Sequence, residues 1–359
     1  MTTPAPASST EIPDVIRKAF RMQAAGCDAL GSPFTARLSR LFDERLAPTN
    51  AVAEHILNWP GDPLPTADSV PLRIAGALHA LVLEGRAESL TAAYPANTVD
   101  DNILWSAVDG AMSGHAAFIL DRMKSAPQTN EVRRSGALLP GFLLLGQIFG
   151  KPLILSEVGA SAGLNLQWDR YRYDLGGHAF GPRDSSVLIS PEWRGSPPPE
   201  GQITVAARAG CDLNPVHATD PAHRLRMLSY IWADQTDRLE RTANALDIAA
   251  KEGLEVEKAD AIDWLGERLK PFYQGAVHVV YHTIAWQYLP RPLRDQGESL
   301  IAEAGARATA DAPFARLALE ADEHDNGASL TLQIWPTGEK REIGRGDFHG
   351  RWVDWRGWQ

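Results

Sequence analysis

The short stretch GASAG, residues 159–163, raises the first question about chemistry in this sequence. It satisfies the G-x-S-x-G pattern, in which a serine on a sharp strand-to-helix turn acts as a nucleophile. In that interpretation Ser161 attacks an acyl group, and later residues such as Asp260 and His282 complete a catalytic triad. The same residues also fit a glycine-rich loop whose serine only faces a bound cofactor. The two interpretations predict different proteins, a hydrolase and a cofactor-binding protein.

The surroundings of this motif favour the cofactor loop. In hydrolases with this motif, the serine follows a strand deep in an established sheet, and an earlier strand supplies the oxyanion loop. Here the region before residue 151 has helical spacing, and no H-G-G-G segment precedes Ser161. The hydrolase therefore stays as the less favoured alternative.

The spacing of the loop residues narrows the choice of cofactor. The dinucleotide fingerprint G-x-G-x-x-G fails, because Leu164 stands where its third glycine belongs and Gly163 comes one residue early. With Glu157 two residues before Gly159, the stretch E-x-G-x-S-x-G resembles the first motif of S-adenosylmethionine (SAM) methyltransferases, in which the acid steadies the loop. Glycines allow positive φ and close approach of a ligand, and Ser161 would offer its hydroxyl. The plain alternative is a tight turn that binds nothing.

Two acids downstream fit the same resemblance. Asp212, in ARAGCDLNPV, follows the second predicted strand, where methyltransferases of this class hold the ribose hydroxyls. Asp260, in KADAIDWL, follows the third strand and matches the position that takes the adenine amino group. Each has a structural alternative, since D-L-N-P is good turn chemistry and Asp260 is well placed to cap a helix.

Three further residues are candidates for the reaction itself or for holding the cofactor. His282 and Tyr281 end the fourth predicted strand, at the sheet edge where open α/β sheets bind ligands. A neutral histidine suits proton removal from a hydroxyl or amine, so His282 is the first choice for a base. Arg133, in TNEVRRSG, could clamp a carboxylate of the cofactor or substrate. The alternatives are a histidine satisfied by backbone groups and an arginine on a solvated face.

Periodicity along the chain predicts the elements that position these residues. Residues 11–150 space apolar groups at three and four, which predicts an all-helical N-terminal region behind a disordered leader at 1–10. From residue 151 to 359, strands alternate with helices, which predicts a mainly parallel, doubly wound α/β sheet. Residues 168–201 read as an inserted hairpin and loop.

Composition limits the classes of partner. The 359 residues carry a net charge of -10 with no Lys/Arg run, which disfavours nucleic acid and anionic membrane surfaces. The longest apolar run, 136–150, is too short for a bilayer span, and no signal peptide is evident. The two cysteines, Cys27 and Cys211, match no metal spacing, and the histidines suggest no metal site. We expect a cytoplasmic protein with a small-molecule substrate.

The chain as a whole resembles an uncharacterised bacterial family, domain of unknown function 2332. The segments that carry the resemblance are PLRIAGALHALVLEG, TNEVRRSGALLPGF, SEVGASAGLNL, GCDLNPV and VVYHTIAWQYL. It implies a Rossmann-like fold of the class I methyltransferase type, with SAM as the cofactor, but it implies no substrate. Ser161 departs from the commoner E-x-G-x-G-x-G form. That departure leaves open a noncatalytic protein of this fold that binds a nucleoside or scaffolds a partner.

Overall fold

A computed structural model of the chain describes residues 13–324 and 326–358. The predicted leader at 1–10 lies outside this range. The contacts divide the chain into two compact units. The first contains the residues up to Thr129 together with Leu225–Glu240, and the second contains Asn130–Arg224 and Arg241 onward.

The first unit is helical, and between residues 13 and 150 the described chain forms no strand. Its apolar side chains pack into one buried cluster that includes Phe20, Phe42 and Leu78. Asn50 and Asp100 cap two of the helices by accepting hydrogen bonds from backbone N–H groups of the first turn. The helices are α1 (Asp14–Ala29), α2 (Pro33–Arg45), α3 (Ala51–Leu57), α4 (Val70–Leu83), α5 (Glu88–Ala93), α6 (Asp101–Gly114) and α7 (Ala116–Met123).

After Asp220 the structure has two helices, α9 (Pro221–Ser229) and α10 (Thr236–Glu252), with a break between them. The break contains Asp234, whose carboxylate accepts hydrogen bonds from Ser32 Oγ at 2.5 Å and the Phe34 N–H at 2.8 Å. These long-range contacts fix a turn where the local apolar spacing alone favours a continuous helix.

The second unit is built on a nine-stranded mixed sheet in the order β5-β12-β11-β10-β9-β8-β1-β6-β7. Five adjacent strands, β7, β6, β1, β8 and β9, are parallel to one another. The chain then continues through β10, β11 and β12, which with β9 form an antiparallel meander. The strands of the sheet are β1 (Leu153–Val158), β5 (Glu192–Gly195), β6 (Val205–Asp212), β7 (Glu257–Lys258), β8 (Val277–Thr283), β9 (Phe314–Glu320), β10 (Ala328–Trp335), β11 (Glu339–Gly346) and β12 (Trp352–Trp355).

Helices cover both faces of the two central strands, which explains why every residue of β1 and β8 is buried. One face packs against α8 (Ser135–Phe149) and the 3-10 turn η2 (Leu164–Arg170). The other face packs against α11 (Ala261–Arg268) and α12 (Arg291–Ala306).

The helix α8 belongs by its contacts to the sheet unit, although the sequence grouped it with the preceding helices. Gly141 explains this placement, since a Cβ at Gly141 would lie 2.7 Å from a methyl carbon of Leu317 in β9 and 3.5 Å from one of Ile343 in β11. From Ser135 to Leu145 every residue of the helix is buried, as expected for a helix that is apolar on all sides along this stretch.

The segment 168–201 contains the predicted hairpin and more. Strands β2 (Arg172–Leu175) and β3 (His178–Phe180) are antiparallel and join at Gly176 and Gly177, both with positive φ. A short strand β4 (Leu188–Ile189) completes this small sheet, and β5 leaves it to pair with β12. In β12, Trp355 is 2% exposed, so this tryptophan covers the core edge.

Candidate functional site

The loop after β1 has an unusual backbone conformation. Gly159, Ser161 and Gly163 all have positive φ, at +70°, +55° and +69°. Gly159 is exposed, whereas the residues from Ala160 to Gly163 are buried. Glycine adopts this left-handed conformation freely, but in a serine it is destabilised by steric strain from the Cβ. The surrounding structure must therefore hold Ser161 in place.

The end of β6 and the segment that follows it supply the bonds that hold this loop. The Ser161 N–H donates to Asp212 Oδ2 at 3.0 Å, and the Ser161 carbonyl accepts from the Val216 N–H at 3.0 Å. The Ala160 N–H donates to the carbonyl of Cys211 at 3.0 Å. The segment after β6 thus wraps the glycine loop and determines its shape.

The loop lies where the strand order reverses. From β1 the chain goes to β6 on one side, and it later returns to β8 on the other side. At such a point the loops that leave the two neighbouring strands diverge and form a crevice at the carboxyl edge, where open α/β sheets bind ligands. Across this edge Ala285, just after β8, faces Gly159, and a Cβ at Gly159 would lie 2.6 Å from that of Ala285.

The three predicted acids lie at the carboxyl ends of successive strands. Glu157 is 1% exposed, and the Tyr281 hydroxyl lies 3.4 Å from its Oε2. Burial raises the pKa of Glu157 well above its usual value, and Tyr281 and Arg134 offset only part of that effect. The buried site therefore favours the neutral acid.

Asp212 and Asp260 each make the structural bonds that the sequence offered as alternatives. Asp212 Oδ1 accepts from the Asn214 N–H at 2.8 Å, which is the expected Asx turn. Asp260 Oδ1 caps α11 by accepting from the Ile262 N–H at 2.8 Å and the Asp263 N–H at 3.3 Å. A ligand-binding role for either acid would come in addition to these structural bonds.

Ser161 Oγ is buried and has no hydrogen-bond partner among the described residues. A nucleophilic serine needs a base within hydrogen-bond reach to take its proton. No histidine of the described chain fills that place. The arrangement gives Ser161 a hydroxyl ready to meet a ligand, but no triad.

Tyr281 and His282 point to opposite faces of the sheet, because successive side chains of a strand alternate. The Tyr281 hydroxyl lies 3.1 Å from the Asn165 carbonyl and its ring contacts Phe142 of α8. The His282 ring stacks on Trp286, with centroids 4.8 Å apart. The two residues therefore cannot act on the same atom of a substrate.

Both ring nitrogens of His282 are engaged. Nδ1 lies 2.6 Å from Glu320 Oε1, and Nε2 accepts from Arg316 Nε at 3.1 Å. Burial lowers the pKa of His282, Arg316 lowers it further, and the bond to Glu320 only partly opposes them. His282 is thus a neutral, fully buried histidine that positions other groups. Because both of its ring nitrogens are already bonded, it is poorly suited to the predicted role of a base that takes a proton from the substrate.

The segment after Thr129 reaches the glycine loop through Asn130. Asn130 Oδ1 accepts from the Leu164 N–H at 2.9 Å, next to the loop's last glycine. Arg133 lies in the 3-10 turn η1 (Val132–Arg134) and packs against Gly350. Its neighbour Arg134 donates to the Thr283 carbonyl at 3.2 Å and contributes to the electrostatics of Glu157. Arg134 is therefore the better placed of the two arginines.

Sequence reasoning missed Glu320, which ends β9 beside His282. Its Oε1 also accepts from the N–H groups of Ala285 and Trp286, both at 3.0 Å. A signal was present in the sequence, since FARLALE is an apolar strand that ends in an acid, as LILSE is at Glu157. Its partners are far away in sequence and gave no signal.

The comparisons with known proteins identify a family. The family model described as an uncharacterized protein conserved in bacteria, DUF2332, matches residues 17–355. The chain belongs to this family. Searches of curated proteins and of solved structures found no match.

Two further features of the described residues bear on binding. These residues contain no group of three or more His, Cys, Asp or Glu side chains that could hold a metal ion. No single described helix is long and apolar enough to cross a membrane, and the one pair that passes on length and composition, α6 with α7, is bent by 89°.

Proposed function

We propose that this protein is a SAM-dependent methyltransferase that acts on a small molecule. The observation that carries the proposal is the left-handed loop from Gly159 to Gly163, at the point where the strand order reverses. In it the Ser161 hydroxyl is buried and bonds to none of the residues that the structure describes. Strain and unused polar groups persist where function requires them, so this loop is the best candidate for a ligand site.

The order of the parallel strands supports a nucleotide ligand. Taken in chain order, β1, β6, β7, β8 and β9 form the spatial series 3-2-1-4-5. This is the order of the Rossmann fold, which binds nucleotides at the carboxyl edge between its first and fourth strands. The glycine loop and the Ile284–Tyr288 segment flank that same edge here.

The residues present fit SAM. Exposed backbone at Gly159 allows close approach of the polar methionine end, and Ser161 supplies a hydroxyl. Asp212 lies at the end of the neighbouring strand, where ribose hydroxyls would bind. The cap bonds of Asp260 use only Oδ1, which leaves Oδ2 for the adenine amino group. SAM would supply the methyl group, and the chain would hold donor and acceptor in line and exclude water.

Calorimetric titration with SAM and with S-adenosylhomocysteine tests this proposal. The informative variant is Gly159→Leu, because a side chain there points at Ala285 and fills the crevice. Its matched control is Gly150→Leu, since Gly150 is also left-handed at φ +61° but lies before β1, with nothing within 4 Å of an added Cβ. Both variants therefore carry similar backbone strain.

We expect the wild type and Gly150→Leu to bind both ligands and Gly159→Leu to bind neither. Binding that survives in Gly159→Leu would move the ligand away from the glycine loop. Absence of binding to the wild type would reject the cofactor. Binding without turnover across a panel of small-molecule acceptors would favour a noncatalytic member of the fold.

A further inference from the structure

The loop after β8 is held by one carboxylate oxygen. Glu320 Oε1 accepts from His282 Nδ1 at 2.6 Å and from two successive backbone N–H groups of the loop, at Ala285 and Trp286. The loop needs this support because Ile284 has φ +49°, a conformation that is strained for a β-branched residue. Glu320 thus determines the shape of the wall opposite Gly159.

The network behind Glu320 keeps its carboxylate charged. Arg316 Nε donates to His282 Nε2, so the histidine proton is on Nδ1 and points to Glu320. Burial alone would raise the pKa of Glu320, but the bonds from His282 and from the two N–H groups outweigh it and hold the pKa below its usual value. The carboxylate is therefore an anion at neutral pH.

The second oxygen of this anion is unused. Glu320 Oε2 is buried and accepts no hydrogen bond from the described residues, whereas Oε1 accepts three. The side chain as a whole is 16% exposed, so it lies close to the surface at the carboxyl edge. A buried anionic oxygen without a donor is costly, and such a group in a native structure points to a missing partner.

We propose that Glu320 Oε2 receives the N–H of an amine, and that this amine is the methyl acceptor. The inference rests on the proposed function, and it adds the substrate class and the residue that recognises it. An amine fits because it carries a hydrogen to donate and, when protonated, a charge opposite to that of Glu320. A carboxylate or phosphate acceptor carries the same charge as Glu320 and would be repelled from this edge.

The proposed step balances without any other reactant. The amine reacts in its neutral form, while one of its N–H groups donates to Glu320 Oε2. Its nitrogen lone pair forms a bond to the methyl carbon, and the bond between that carbon and the sulfonium sulfur breaks. The electron pair of the broken bond stays on sulfur, which becomes a neutral thioether. The product is an ammonium that keeps its extra proton, hydrogen-bonded to the Glu320 Oε2 anion, and it loses that proton to solvent after it leaves the site, because a carboxylate whose pKa is lowered does not take a proton from an ammonium.

The SAM analogue sinefungin tests this step without a known acceptor. It carries an amine on the carbon that replaces the methyl-bearing sulfonium, so its amine lies where the transferred methyl would meet the acceptor. S-adenosylhomocysteine is the matched ligand without that amine. The variant Glu320→Gln keeps one oxygen for the loop and replaces Oε2 by a hydrogen-bond donor. Glu342→Gln on β11 is the control for loss of one negative charge.

We expect the wild type and Glu342→Gln to bind sinefungin about 10- to 100-fold more tightly than S-adenosylhomocysteine, as a buried charged hydrogen bond allows. Glu320→Gln should lose this preference and keep its affinity for S-adenosylhomocysteine. Equal affinity of the wild type for sinefungin and S-adenosylhomocysteine would overturn the inference, and this comparison does not depend on any variant folding correctly. So would a preference that persists in Glu320→Gln. If the wild type binds neither ligand, the proposed function itself fails, which is a different result from a lost preference.

Discussion

Ser161→Gly should make the folded protein more stable, because serine at this position carries two costs that glycine does not. The first is its left-handed backbone at φ +55°, which destabilises a non-glycine residue by roughly 1–2 kcal/mol. The second is the buried Oγ, for which the described residues offer no hydrogen-bond partner and which therefore costs roughly 1–3 kcal/mol. Against these, glycine loses more chain entropy on folding, by about 0.5–1 kcal/mol.

The variant Ser161→Ala separates the two costs. It removes the hydroxyl but keeps the strained backbone, so it should be more stable than the wild type and somewhat less stable than Ser161→Gly. The sum gives a stabilisation of roughly 1–3 kcal/mol for alanine and about 0.5 kcal/mol more for glycine. Urea unfolding followed by tryptophan fluorescence measures the differences. Hydrogen exchange of the amides in Leu153–Val158, the strand beside the loop, tests whether the stability differences arise there.

Ligand binding should change in the opposite direction. If the hydroxyl meets the ligand, both variants lose one hydrogen bond, which weakens S-adenosylhomocysteine by about 2- to 10-fold. A residue whose removal stabilises the protein and weakens binding is kept for function. A loss of stability in Ser161→Ala would refute the reasoning, because it would show that the hydroxyl has a structural partner.

Three further predictions concern separate features of the site and of the sheet. Asp260→Asn should weaken binding of S-adenosylhomocysteine at least tenfold in calorimetry. Asp100→Asn, which alters an equivalent helix cap in the other unit, should leave that affinity unchanged. Equal effects of the two variants would show that Asp260 acts only as a helix cap. A fluorophosphonate probe should not label Ser161, because no histidine of the described residues is bonded to its Oγ. Stoichiometric labelling seen by mass spectrometry would instead support the interpretation of the protein as a serine hydrolase. Burial, and then Arg268, lower the pKa of His278 to about 3, so the unfolded chain binds a proton below pH ~6.5 that the folded one does not. The His278 contribution to stability should therefore fall by about 1.4 kcal/mol per pH unit between pH ~6.5 and about 3, and His278→Phe should reduce the slope in urea titrations by that amount, since His282 contributes a slope of the same sign.

The sequence predicted the elements that carry the site because their signals are local. The apolar run LILSEV and the turn at Gly159 lie within a few residues of each other, and so do Asp260 and the helix that it caps. The opposite orientations of Tyr281 and His282 also follow from the alternation of side chains along a strand. The sequence alone therefore predicts that these two residues do not share one catalytic site.

The partners of His282 were not predictable in this way. Arg316 and Glu320 lie 34 and 38 residues further along the chain, and only the pairing of β8 with β9 brings them to the ring. The strand β11 was missed for a related reason. Its sequence, EKREIGRG, is polar and glycine-containing, and its buried half becomes apparent only once its neighbours are known.

Backbone strain offers an argument for the site that is independent of any motif. Sixteen of the described left-handed residues are glycines, and three are not: Ser69, Ser161 and Ile284. Ser161 and Ile284 follow β1 and β8, the two adjacent strands between which the sheet order reverses. Ser161 Oγ and, beside the second loop, Glu320 Oε2 are buried polar atoms that have no hydrogen-bond partner within the described part of the chain. Selection for stability alone would have placed glycine and apolar side chains here, so the two loops are best explained as two sides of one binding site.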